Sequence, residues 1–203
     1  MHIPNGTTQE LNIVPFCEAL KAANAPCDDY DSDKWLYVPN VYSEYRYILG
    51  TRGNKPLICI GINPSTAKPD ELDNTLKSVE RIALANGFDS FIMFNVYAQR
   101  ATDPDAMEHT CNLRLHKENL EAFRYILSHS AEPVIWAAWG TIIEKRDYLK
   151  QCLLDMLDLG REYNAQWCSA GAVSKKGHPH HPLYLKKDEK IKPFPIEEYL
   201  SLL

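Results

Sequence analysis

Leu57-Ile58-Cys59-Ile60-Gly61-Ile62 runs without a polar side chain until Asn63-Pro64-Ser65-Thr66 stops it. An apolar run of this length with no polar alternation is the pattern of a strand covered on both faces, as strands of parallel sheets are. Pro64 excludes Asn63 from the α region, so the stop is a turn. Downstream, Leu76, Val79, Ile82 and Ala83 recur at helical spacing, with Asp73, Asn74 and Thr75 as capping candidates before them and Gly87 after. A strand, a turn and a capped helix in that order open a βαβ series.

The same unit repeats along the chain. Ser90–Asn95, Val134–Trp139 and Gln166–Ala170 are further strand candidates. Helical stripes lie around Leu120, Phe123 and Leu127, and around Leu149, Cys152, Leu153, Met156 and Leu157, the latter closed by Gly160. Together these predict an α/β fold: a three-layer α/β/α sandwich on a mainly parallel four-stranded sheet. Residues 1–50 read differently, as an irregular acidic lead-in with one short amphipathic helix (Phe16, Ala19, Leu20, Ala23) and a cluster of Asp28, Asp29, Asp31 and Asp33. A single domain over residues 1–203 is expected, with its core within 47–185.

Of the 203 residues, 45% are hydrophobic and 24% charged, which supplies a sizeable core and argues against disorder. No apolar run approaches the roughly 18 residues of a membrane span, and Met1-His2-Ile3-Pro4 opens no signal peptide. A soluble, cytoplasmic monomer is the expectation. The six cysteines lie far apart, none in a C-x-x-C pair or at ligand spacing from a histidine, which predicts buried thiols and no metal or cofactor. The formal charge of −5 argues against a surface coated for nucleic acid, yet Ser174–Lys192 holds six lysines against Asp188 and Glu189, a local +4 that leaves −9 on the remainder. That segment also carries His178, His180 and His181.

In parallel α/β sheets, ligands bind at the loops leaving the carboxyl ends of the strands. Here those loops are Gly61 to Ala67, Asn95 to Pro104, Trp139-Gly140, and the stretch into His178-Pro179-His180-His181-Pro182-Leu183. Each alone is ordinary turn chemistry. In this order, however, they resemble the uracil-DNA glycosylase superfamily. Gly61-Ile62-Asn63-Pro64 looks like its G-x-[DN]-P motif, Phe91 to Asn95 like the strand whose terminal Asn reads the pyrimidine edge, and Val134 to Gly140 like the strand ending in Trp-Gly. His181-Pro182-Leu183 looks like the loop whose His faces the base O2 and whose neighbours wedge into DNA. Asn63-Pro64-Ser65-Thr66-Ala67 and His181-Pro182-Leu183-Tyr184 also resemble small bacterial and phage proteins of unassigned function within that fold.

The resemblance implies a monofunctional DNA glycosylase, since no lysine sits in the motifs as a Schiff-base nucleophile. The catalytic pair would be Asn63, which orients water, and His181, which donates to the departing base anion. Ile62, Pro64, Ser65, Asn95 and Tyr97 would bind the base. Lys175, Lys176, His178, Pro182 and Leu183 would contact duplex DNA with its base flipped out. Phe88, Tyr97 and Trp139 are open candidates for the ring that stacks on that base.

Two departures matter. The uracil-specific branch has an acidic residue and then Pro-Tyr in the first motif, and a Ser after the later Pro; here Ser65 follows Pro64 and Leu183 follows Pro182. A serine leaves space beside C5 of a pyrimidine, so a C5-substituted base is expected, at the extreme a hypermodified base of phage DNA removed in defence. The alternatives are an enzyme on a free nucleotide or nucleoside, and a non-catalytic base-binding module. A serine hydrolase on Ser65 is disfavoured, because G-x-S-x-G is missing.

Overall fold

A computed structural model describes residues 1–203. Seven strands form one sheet: β1 (Trp35–Val38), β2 (Ile48–Thr51), β3 (Pro56–Gly61), β4 (Ser90–Asn95), β5 (Val134–Ala137), β6 (Gln166–Ala170) and β7 (Ile191–Pro193). Their spatial order is β1-β2-β4-β3-β5-β6-β7. The pairings β4-β3, β3-β5 and β5-β6 are parallel, whereas β1-β2, β2-β4 and β6-β7 are antiparallel. The sheet is therefore mixed and seven-stranded, a correction to the four strands expected. The four anticipated strands are its parallel centre.

The extra strands are short and lie where the sequence reads as punctuation. β1 and β2 fall inside the supposed lead-in, and all of their residues except Thr51 are buried, so no polar alternation marks them. Gly50 looks like a strand breaker. In the fold it is where β2 meets β4 most closely: a Cβ there would stand 2.2 Å from Phe91 O and 2.8 Å from Ile92 Cα. β7 lies in the lysine-rich segment and covers the β6 edge, with Pro193 in an edge strand where a missing N–H is tolerated.

Five helices cover the sheet: α1 (Phe16–Ala23), α2 (Asn74–Ala85), α3 (Leu113–Ser128), α4 (Asp147–Glu162) and α5 (Ile196–Leu200). The alternation hidden in β3 is resolved by its neighbours. Leu57 and Cys59 pack with Leu76, Val79 and Ile82 of α2 on one face. Ile58 and Ile60 pack on the other with the apolar sides of α1, α3, α4 and α5. Residues 1–15 are likewise tied to the body, since Glu108 accepts from Thr8 N (2.9 Å) and from the Thr7 and Thr8 hydroxyls, while Phe16 N donates to Glu118. No helix is long and apolar enough to cross a membrane.

Candidate functional site

The chain leaves β3 towards α2 on one face, while its parallel neighbours β4 and β5 lead to α3 and α4 on the other. Loops that part in opposite directions open a crevice above the strand between them. A cleft of about 560 Å³ lies there, lined by Gly61–Thr66 after β3, Asn95 at the end of β4, Thr102, the start of α2, and His181, Leu183 and Tyr184 of the late loop.

Asn63 is held by its amide nitrogen, which donates to Ala101 O (2.7 Å) and Pro64 O (3.1 Å). Both donors are thereby spent and the orientation is unambiguous, leaving Oδ1 without a protein partner. Ala101 N in turn donates to Pro64 O at 2.9 Å, so the turn after β3 is locked to the loop that follows β4. Asn95 is buried below, its amide nitrogen turned to the carbonyls of Asn63 and Phe94 at 3.3 Å each. Gly61 makes room for this: a Cβ there would lie 2.6 Å from Met93 Cε and 3.2 Å from the Asn95 amide.

His181 accepts from Leu183 N through Nδ1 at 3.3 Å, which places the proton of the neutral ring on Nε2. Nε2 has no partner in the protein. Burial, and then the charge of His180, lower the His181 pKa, with Asp73 opposing. The ring is thus neutral near pH 7 and presents an N–H. Its loop is fastened to α2, where Ser78 Oγ donates to Pro182 O (2.8 Å) and Arg81 donates to Leu185 O (3.1 Å). It also packs on Gly140, whose φ of +61° suits glycine.

Ile62, Pro64 and Ser65 line the cleft with Asn63, and Ser65 Oγ bonds Thr102 Oγ1 at 3.0 Å. Other expected residues go elsewhere. Tyr97 is fully buried, and its hydroxyl donates to Glu108 and accepts from Asn112 N (2.9 Å). It anchors the loop that holds the N-terminus and is neither a base contact nor a stacking ring. Trp139 is also buried, with Nε1 donating to Tyr199 OH (2.9 Å), and Phe88 packs under α2.

His178 is a further correction. It is buried between Tyr199 OH (Nδ1, 2.8 Å) and Glu144 Oε1 (Nε2, 3.3 Å) and does not line the cleft. Tyr199 receives the Trp139 N–H, so its own proton goes to His178 Nδ1, and His178 Nε2 then donates to Glu144. Pro182 is buried as well. Lys176 is exposed but paired with Glu144 at 2.7 Å, whereas Lys175 is exposed and makes no ion pair. Leu183 lines the cleft.

Of the lining residues not singled out for the site from sequence, three bear on its chemistry. Tyr184 is 92% exposed at φ +69°, an aromatic ring at the cleft mouth whose only sequence signal is that it sits three positions after His181. Asp73 does cap α2 as expected, accepting from Leu76 N at 2.9 Å, and it also lines the cleft. Arg46, one of the most deeply buried side chains, is the third. No cluster of His, Cys, Asp or Glu is arranged to hold a metal ion.

A family model described as a protein of unknown function, DUF1643, matches residues 46–183. The chain belongs to the DUF1643 family. The matched DUF1643 segment begins at Arg46 and ends at Leu183, so of the cleft-lining residues only Tyr184 lies outside it. Neither the curated proteins nor the solved structures compared with the chain give a match.

Proposed function

We propose that the protein is a monofunctional DNA glycosylase that flips a pyrimidine into the cleft and hydrolyses its N-glycosidic bond, leaving an abasic site. The observation that carries the reading is the pairing of Asn63 and His181. They are far apart in sequence and line one cleft, and each is fixed by the backbone through one polar atom with the other unpartnered. As the C1′–N bond breaks, its electron pair leaves with the base, whose negative charge spreads to O2, and the His181 Nε2–H stabilises it. The sugar cation is captured by a water held by Asn63 Oδ1, and that water loses its proton to solvent. Asn95 offers its amide oxygen to the base edge, and Tyr184 a ring to stack on it.

The resemblance to the uracil-DNA glycosylase superfamily supplies the reaction class. A cleft of about 560 Å³ suits a nucleotide. Ser65 and Thr66 put only small side chains on the cleft wall, which favours a C5-substituted pyrimidine and, with it, a role against phage DNA. A free nucleotide is the second reading. It is favoured by the acidity of the chain outside 174–192 and by the pairing of Lys176 with Glu144. Incubation with oligonucleotides and phage genomic DNAs of differing base modification, followed by assay for abasic sites and free base, tests both. Base release from DNA supports the glycosylase; release from mononucleotides alone supports the second reading; release from neither overturns both.

A further inference from the structure

Arg46 and Arg100 are buried side by side without a counterion. Arg46 is 1% exposed and Arg100 fully buried, and neither is in an ion pair. Arg46 donates once, from Nη1 to Ala67 O at 3.1 Å, and its buried Nε has no partner. Arg100 gives Nη1 to Ser65 O and Ala67 O and Nη2 to Tyr37 OH (3.1 Å), and lies over the Tyr42 ring at 4.3 Å, with its own Nε unpartnered. These contacts hold the Asn63–Ala67 turn, but carbonyls and a phenol do not neutralise two guanidinium charges. The charge of Asp73 reaches both, but Asp73 makes no direct ion pair with either, and its Oδ1 accepts from Leu76 N.

The wall beside Arg46 is the start of α2. Asn74 and Thr75 line the cleft, and their N–H groups have no protein partner, as the first amides of a helix do not. A helix N-terminus and a buried, under-bonded guanidinium therefore meet one cavity, with Arg100 behind. We propose that Arg46 and the Asn74 and Thr75 amides form a phosphate-binding subsite in the floor of the cleft, backed by the charge of Arg100. Phosphate is the anion that fits, since it brings enough negative charge for two guanidinium groups and several acceptor oxygens for amides and Arg46 at once. In keeping with this, burial and the charge of Arg100 push the Arg46 pKa down to about 9. The subsite does not depend on the glycosidic reading, as a phosphorylated ligand of any fate would use it.

Calorimetry on the full chain with inorganic phosphate, a pyrimidine nucleoside 5′-monophosphate, the matching nucleoside and a short single-stranded oligonucleotide tests it. Inorganic phosphate is expected to bind, and the nucleotide to bind at least about tenfold more tightly than the nucleoside. An oligonucleotide that binds while phosphate and mononucleotide do not would assign the contacts to the DNA backbone elsewhere and overturn the subsite. Arg46→Gln is expected to abolish the preference for nucleotide over nucleoside. Because Arg46 also holds Ala67, a second variant is decisive if Arg46→Gln does not fold. Asn74→Pro removes one free N–H at a helix position that accepts proline, following Asp73 whose φ of −74° and ψ of 175° suit a pre-proline residue. It is expected to weaken phosphate binding several-fold with the fold intact. Equal binding of nucleotide and nucleoside, or Asn74→Pro binding like wild type, overturns the proposal.

Discussion

At the amino end of β3 a cavity of about 160 Å³ lies among Leu36, Thr51, Arg52, Pro56 and His129, and at the carboxyl end lies the cleft of about 560 Å³. Each contains an arginine and a histidine, and they are treated in opposite ways. Arg52 is exposed yet spoken for, giving Nε to Ser32 O (3.0 Å) and Nη2 to Asn24 Oδ1 (2.8 Å). His129 gives Nδ1 to Tyr125 O at 2.8 Å, closing its own helix end. Arg46 is buried with donors to spare, and His181 keeps its Nε2. Exposed groups cost little to leave unpaired because water pairs them, whereas buried ones cost most. The fold thus leaves the buried Arg46 Nε unmatched at the carboxyl end of β3, where it is expensive to do so, and that is the end proposed as the ligand site.

The contrast breaks most visibly on activity. Asn63→Ala and His181→Ala are expected to lower base release by at least about 100-fold with the fold intact by circular dichroism, whereas Arg52→Ala and His129→Ala leave the rate as it is. Equal losses at both ends would erase the distinction. His178 sharpens it from the opposite side. Three residues from His181, it is wholly engaged, so His178→Ala is expected to cost about 2 kcal/mol of stability, read by chemical denaturation, because Tyr199 and Trp139 lose a buried network.

Tyr184→Ala is expected to weaken binding of the flipped base about tenfold, the scale of one aromatic stack, seen in KM more than in kcat. Being almost fully exposed, the side chain contributes little to folding, and an unchanged melting temperature checks that. The smallest effect is in pH. The His181 pKa lies below its usual 6.5, and protonation would take Nδ1 away from Leu183 N and unseat the ring, so the rate is expected to fall only below that value. A rate that falls already between pH 7 and 6.5 would show that the ring titrates normally and is not buried against its loop.

The parallel centre of the sheet, the α2 stripe with its Asp73 cap and the rim position of Asn63 and His181 were legible from sequence. Each rests on local chemistry: an apolar run, a helical period, a proline that dictates its neighbour's backbone. β1, β2 and β7 were not, because strands of three or four residues carry too few side chains to show a period, and Gly50 reads as a break until β4 is placed against it. Tyr97 and His178 have the residue types and the position of site residues. What sends them inward is a partner elsewhere in the chain, Glu108 and Asn112 for the first and Tyr199 and Glu144 for the second. Arg46 shows the reverse. Nothing next to it in sequence distinguishes it from a surface arginine, and its meaning comes from being enclosed with Arg100 and faced by α2. Hydrogen-bond satisfaction is a property of three-dimensional neighbours, so sequence alone indicates which side chains are able to act, and only the folded chain decides which are left free to do so.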